Sequence, residues 1–358
     1  MAVPAKPRQK GVTIREIARE ARVSTATVSR ALRHPDRVSP RTREAVLVAA
    51  RRHHYVADGL AGSLASRRSE ILGLVIPTIM NSIYAFSTQA VQRAAQEAGY
   101  TTLVCISEFS PAEEERLIVK LIERRVDGLI LTGATRSQRI RELIRRHGVP
   151  CIITWIESSQ AEVPSVSFSN AEGVRMAIEH LASLGHRRIG FVCGRTLVND
   201  RAAERLRSYH ASMQRLGLDV DSGAVLERDF DYSEGYAALR QIALRDPRPT
   251  AVHCANDVQA IGALQACRDL GIAVPGEMSI IGFDDHPVAR FTTPQLTTIR
   301  VPAAEMGQRA ARALIASLRD GVPMGSVELP LDLVMRGSTA PPTDDAVQAA
   351  FDRVLQAT

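Results

Sequence analysis

The sequence predicts an N-terminal all-α helix-turn-helix headpiece joined to a larger α/β body of two parallel-sheet subdomains. Three observations carry this. Residues 1–70 hold 15 Lys/Arg against 6 Asp/Glu, whereas the remainder holds 30 against 33, within a net charge of +6. Three short amphipathic helices follow one another near the N-terminus, separated by tight turns. From Ile71 onward, short apolar runs alternate with amphipathic helices, the rhythm of βαβ units. A length of 358 residues suits a small domain joined to a larger one.

In the headpiece, Thr13 is placed to cap the helix "IREIAREA", with Ile14, Ile17, Ala18 and Ala21 on one face. Ser24 is a second N-cap, opening "TATVSRAL". Two helices joined so tightly must cross steeply, and Ala18, Val23, Val28 and Leu32 would pack the crossing. Ser39-Pro40, a cap followed by an N1 proline, starts a third helix whose stripe Ala45, Val46 and Ala49 would close the core.

The second helix is apolar behind, at Val28, Ala31 and Leu32, and small, polar and cationic in front. That pattern suits entry into a DNA major groove, and the basic balance of the headpiece suits a polyanion. Small residues at the helix start, Thr25 and Ala26, permit close approach, and Ala26 can touch a thymine methyl. Arg30, one turn on, has the fork geometry for a guanine O6/N7 edge. Thr27 and Ser29, with the free N–H groups of the helix start, suit phosphate contacts, and the cap residues Thr13 and Ser24 are counted among the DNA contacts. An ordinary three-helix bundle is the competing reading. The charge, the spacing and the position of these helices weigh against it.

After Tyr55, "VADGLAGSLASRRSE" is a polar, glycine-containing link. A helix from Asp58 to about Ser66 is weakened by Gly59 and Gly62, by about 1 kcal/mol each. Leu64 then has no evident core to join. It is either a loop leucine or an apolar wedge placed between base steps in the minor groove.

The body reads as two series of strands and helices. The first contains "ILGLVIP", "YTTLVCIS", "VDGLILTG" and "VPCIITWI"; the second contains "HRRIGFVCG", "TAVHCAND" and "MSIIGFDD". In parallel sheets, ligands bind beyond the carboxyl ends of the strands. The groups leaving those ends are Asn81, Trp155, Asn256-Asp257 and Asp284-Asp285-His286. No phosphate-cradling glycine motif, nucleophile elbow or zinc-protease motif occurs, so neither a cofactor nor a metal is expected. The run "DDH" has no partner cluster at ligand spacing and is not read as catalytic. Arg201 and Arg205 are i, i+4 neighbours in "NDRAAERLRSY". They form either a solvated charge face with Glu204 or a double clamp for an anion.

Five scattered cysteines (Cys105, Cys151, Cys193, Cys254 and Cys267) read as reduced thiols, without C-x-x-C spacing. The start "MAVPAKPRQKG" has no apolar signal core, and no apolar run approaches membrane-spanning length. The expectation is a cytoplasmic protein with no membrane partner.

Taken together, "VTIREIAREARVSTATVSRAL", "VSPRTREAVLVAARRHHY", "LGLVIP", "GHRRIGFVCG", "RLRSY", "CANDVQAIGA", "VPGEMSIIGFDD" and "PQLTTIRVP" resemble the lactose-repressor (LacI/GalR) family of bacterial transcription regulators over nearly the whole chain. The resemblance implies a regulator, not an enzyme: a homodimeric repressor on a near-palindromic operator, with a periplasmic-binding-protein-like effector domain. It makes Leu64 the hinge leucine. It places effector contacts on Ile83, Tyr84, Trp155, Arg201, Arg205, Phe230, Asn256 and Asp284. The implied organisation is a DNA-binding domain over 1–56, a hinge over 57–69, an effector domain over 70–340 and a tail over 341–358. Within the effector domain, 70–168 with 299–330 would form one subdomain and 169–298 with the final strand "VELPLDLVMRGS" the other.

Four departures from the family pattern stand out. Arg22 occupies the recognition turn, where Gly or Asn is usual and positive φ is needed. The hinge has lost its arginine and gained Gly62. Trp155 replaces an aspartate that often serves sugar hydroxyls, and Arg201 replaces a small hydroxyl residue. The last two disfavour a neutral pyranose. The basic pair and "VDGLILT" resemble the gluconate-type branch, so a sugar acid is the expected effector. Another organic acid or a sugar phosphate would satisfy the same two arginines. A cytoplasmic sugar-acid-binding protein or enzyme is the remaining alternative. The tail "TDDAVQAAFDRVLQAT" has one apolar helical face, for packing on its own body or for tetramer formation.

Overall fold

The computed structural model describes residues 12–33, 35–55, 68–157 and 163–343. The chain divides into two compact units, 1–69 and 70–358. The expected hinge helix with Leu64, and residues 344–358 of the expected tail, lie outside the described residues.

The first unit contains α1 (Ile14–Glu20), α2 (Thr25–Arg33) and α3 (Pro40–Arg52). Ile17, Ala18, Val28, Ala31, Val46 and Ala49 form its buried core, flanked by Val23, Leu32 and Tyr55. Ala45, expected in that core, is exposed, and Ala50 is buried instead. The stripe at Val46, Ala49 and Ala50 follows the i, i+3, i+4 spacing, which turns Ala45 onto the neighbouring face. The caps read from sequence are partly as expected. The Ser24 hydroxyl accepts from Thr27 N–H at 3.1 Å, and Ser39 accepts from Thr42 N–H at 3.2 Å. Thr13 is tied to Glu16, whose Oε2 accepts from the Thr13 N–H at 2.6 Å and from the Thr13 hydroxyl at 3.0 Å.

The second unit holds two six-stranded sheets. Sheet one contains β1 (Ile71–Ile76), β2 (Thr101–Ile106), β3 (Gly128–Thr132), β4 (Cys151–Thr154), β5 (Ser165–Ser167) and β11 (Val327–Glu328). Its spatial order is β11-β5-β4-β3-β1-β2, all parallel. Sheet two contains β6 (Ile189–Cys193), β7 (Val225–Glu227), β8 (Ala251–Cys254), β9 (Ser279–Asp284), β10 (Thr297–Arg300) and β12 (Asp332–Val334). Its order is β12-β10-β9-β8-β6-β7, with only the β10–β12 pair antiparallel. The helices are α4 (Ser82–Glu97), α5 (Pro111–Glu123), α6 (Gln138–Arg146), α7 (Asn170–Ser183), α8 (Asp200–Arg215), α9 (Tyr232–Ala243), α10 (Asp257–Asp269) and α11 (Ala303–Asp320).

Three chain passages link the sheets: after β5, after β10 and between β11 and β12. The expected subdomain switch at 298/299 falls inside β10, which stays paired to β9 through Arg300. The expected single final strand is two strands: β11 joins sheet one and β12 joins sheet two. Pro330 stands between them, and a residue without an N–H interrupts a ladder. The sequence reading assigned no strand at β5, β7 or β10, which are three or four residues long and too short to show a period.

Helices α9 and α10 cross with their backbones in contact. A Cβ added to Gly262 would overlap the carbonyl oxygen of Tyr232, and one added to Gly235 would overlap that of Gln259. Backbone on both sides leaves no side chain to yield, so Gly262→Ala should destabilise the protein by about 1–3 kcal/mol. Urea denaturation would measure this, and an unchanged midpoint would show that the helices can separate freely.

Candidate functional site

Two groups of residues stand out, one in each unit. In the first, Thr25, Ala26 and Arg30 are exposed on one side of α2, and Thr27 and Ser29 are half-buried beside them. Val28 and Ala31 are buried on the opposite side. Thr13 and Ser24, the other predicted contacts, are exposed at the starts of α1 and α2. The turn before α2 ends α1 in a Schellman arrangement. Val23 N–H donates to the Ala18 carbonyl at 3.0 Å and Arg22 N–H to the Arg19 carbonyl at 3.3 Å. Its left-handed position is Arg22, with φ of +55°.

The second group lines a single small cavity in the second unit. It brings together all eight residues singled out from the sequence: Ile83, Tyr84, Trp155, Arg201, Arg205, Phe230, Asn256 and Asp284. Asn81, Asn199 and Ala202 complete the wall. Each comes from a helix N-terminus or from the segment just beyond a strand. Ile83 and Tyr84 lie in the first turn of α4, Arg201 and Arg205 in the first turns of α8, and Asn256 caps α10. Trp155 follows β4, Phe230 follows β7, and Asp284 ends β9.

The two arginines are not a solvated face: Arg201 is 7% exposed and Arg205 6%. Their partners differ. Arg201 donates from Nη1 to Asp200 at 2.8 Å. Arg205 meets neutral groups. Its Nε donates to the Asn170 side-chain oxygen at 2.8 Å, its Nη1 donates to the Ala255 carbonyl, and its guanidinium carbon lies 3.8 Å from the Phe283 ring centre. No carboxylate pairs with it among the described residues.

Asp284 is the nearest acid in electrostatic terms. Burial pushes its carboxyl up to about 7, opposed by the charge of Arg205 and a hydrogen bond from Asn81. Asn256 is buried, and its Oδ1 accepts from Gln259 N–H at 2.8 Å, while its Nδ2 has no protein partner. A ligand oxygen would satisfy that donor. Tyr84 and Trp155 pack at 4.6 Å between ring centres, and Phe230 adds a third aromatic face. Trp155 and Asp284 have φ of +74° and +118°, the left-handed side where non-glycine residues are uncommon. The Trp155 carbonyl is held there by Asn170, which donates from Nδ2 at 2.8 Å.

Other acids at the strand ends face elsewhere. Asp257 accepts from the Thr298 hydroxyl and from His286 N–H, each at 2.6 Å. Asp285 pairs with Arg300 and Arg336, and His286 reaches Ser82. The sequence reading passed over Asp200 and Asn170, the partners of the two arginines. Asp200 was legible only as a neighbour of Arg201. Asn170 is thirty-five positions from Arg205 and carried no signal.

Comparison with known proteins finds matches to both units. Residues 13–58 match the model of "Bacterial regulatory proteins, lacI family", and residues 178–339 match "Periplasmic binding protein-like domain". The chain is 31% identical over 336 residues to the HTH-type transcriptional repressor CytR of Escherichia coli K12, covering 94% of this chain and 98% of that one. It is 33% identical over 304 residues to the ribose operon repressor of the same strain, covering 85% and 92%. Among solved structures, the lac repressor dimer bound to operator and the anti-inducer ONPF matches with a TM-score of 0.82 and 27% identity, over 92% of this chain and 100% of that one. These relatives are repressors, not enzymes.

Arg22 in the left-handed region costs about 1–2 kcal/mol relative to a right-handed residue, which glycine does not incur. Part of that gain is lost to the freer unfolded chain of glycine. Arg22→Gly should therefore stabilise the headpiece by about 0.5–1 kcal/mol, read as slower amide exchange in α1 and α2 of the full chain. Faster exchange would mean that the Arg22 side chain contributes more than its backbone costs.

Proposed function

Because the chain belongs to the lacI family of bacterial regulatory proteins, we propose that it is an operator-binding repressor controlled by an anionic sugar acid of the gluconate or ketogluconate type. The observation that carries the effector class is Arg205, a buried cation whose hydrogen-bonding partners are all neutral. Removing a charge from water is costly unless a counter-charge meets it. Arg201 already has Asp200, so Arg205 is the group that calls for a ligand carboxylate. The free Nδ2 of Asn256 and the ring of Phe230 then suit the hydroxyls and the C–H face of a polyhydroxy chain.

On this reading the protein acts as a homodimer. Thr25, Ala26 and Arg30 read bases, while Thr13, Ser24, Thr27 and Ser29 meet phosphates. Effector in the cleft biases the relative pose of the two subdomains, and through them the spacing of the hinges in the dimer. It can shift operator affinity only by its differential affinity for the two poses.

Trp155, the single tryptophan, reports on the cleft. Its fluorescence should change saturably with gluconate or 2-ketogluconate and not with a neutral hexose. Arg205→Ala should weaken that binding by about tenfold or more, as for a lost charge-assisted contact. A response to the neutral sugar alone would sink the carboxylate reading. A response to citrate or a sugar phosphate alone would keep the anion and change its class.

The pH dependence has a defined sign. Below about 7 Asp284 is neutral and leaves Arg205 to the ligand; above it Asp284 ionises and competes. Sugar-acid affinity should fall from pH 6 to 8, approaching about tenfold per pH unit at full coupling, and Asp284→Asn should flatten the profile.

On the DNA side, Arg30→Ala should cost about 1–3 kcal/mol on the operator and relax discrimination at one base pair. Equal weakening on every sequence would remove Arg30 from the base readers.

A further inference from the structure

We propose that Asp200 is a positioning residue that sets Arg201 and clasps the two subdomains together across the mouth of the cleft. The proposal rests on the cleft being the effector site. It is carried by how the two carboxylate oxygens are divided. Oδ1 accepts from the Arg201 guanidinium at 2.8 Å and from Arg201 N–H at 2.9 Å, within the second subdomain. Oδ2 accepts from Ala134 N–H at 2.6 Å, Thr135 N–H at 3.0 Å and the Thr135 hydroxyl at 3.2 Å. Those three donors lie on the loop between β3 and α6, in the first subdomain.

One carboxylate therefore joins an effector-lining arginine to the opposite wall. Opening the cleft would break every contact of Oδ2 at once, and hydrogen bonds to a charged acceptor are the stronger kind. The loop is shaped for the closed state: Gly133 has φ of +80°, and a Cβ there would overlap Arg201 Nη1. Burial opposes the charge on Asp200. The Arg201 cation and the loop donors outweigh it and hold the carboxyl below its usual range.

The arrangement also divides the work of the two arginines. Arg201 is neutralised by the protein and shapes the closed cleft, which leaves Arg205 for the effector. Asp200 thereby makes the affinity for an anion depend on closure.

The test uses the full chain. Hydrogen exchange without added ligand should find the Ala134 and Thr135 amides protected, and Asp200→Ala should speed their exchange about tenfold or more, leaving β3 and α8 unchanged. Gly133→Ala, which acts from the other wall, should do the same. Asp200→Asn keeps an acceptor for the loop without the charge for Arg201, and should retain most of the protection. With D-gluconate as probe and Trp155 as reporter, Asp200→Ala and Arg201→Ala should each weaken binding, and the double variant should be no weaker than the worse single one. Unchanged exchange at 134–135, or strictly additive losses, would overturn the clasp. If the parent protein does not bind gluconate, the carboxylate reading fails on its own, and the exchange result still decides the role of Asp200.

Discussion

The buried guanidinium of Arg205 is the constraint around which the effector unit is organised. It sits over the Phe283 ring and donates to Asn170 and to the Ala255 carbonyl. Asn170 in turn fixes the Trp155 carbonyl, and so holds that residue in its left-handed backbone state. Asp284 lies close enough for its proton affinity to be set by burial against the Arg205 charge. Five residues from four segments of the chain are thus referred to one cation. Its hydrogen bonds and ring contact all go to neutral groups, and the acid coupled to it, Asp284, is held largely protonated by burial.

The sheets make this possible. Both are built of parallel strands, apart from the antiparallel β12, so each sends its helix N-termini toward the same side. Facing one another, they present caps and first-turn residues from α4, α8 and α10 to one cavity. Contacts across the cleft repeat the theme. Asp200 reaches the β3–α6 loop, His286 reaches Ser82, and Phe109 meets Phe230 at 5.7 Å. A continuous run of rings, Tyr84, Trp155, Phe168 and Phe283, passes from one subdomain into the other with neighbouring centres 4.6–6.3 Å apart. The two halves therefore share packing at the cleft as well as ligand groups.

The headpiece shows how a local rule yields to a tertiary need. The Schellman end of α1 demands a left-handed residue, and the chain supplies Arg22 in place of glycine. The core of Ile17, Val28 and Val46 fixes the crossing of the helices and keeps the turn tight despite that choice. Glu20 adds a tie between α1 and α3 through Arg52, at 2.9 Å, and through His53.

Much was legible from residue order. Apolar period, capping residues and charge asymmetry determined the three-helix headpiece, the long strands of both sheets and the residues that leave their carboxyl ends, because these features depend on neighbours within one or two turns. Family resemblance extended this to the eight residues of the cavity wall. The short strands β5, β7 and β10 carry too few residues to show a period, and the splitting of the final strand between two sheets depends on partners far along the chain. The pairing of Arg201 with Asp200 and of Arg205 with Asn170 was decided only in three dimensions. Sequence specifies which side chains can carry charge. Which of those charges is cancelled by the protein, and which is left for a ligand, depends on distances between segments that only the packed fold sets.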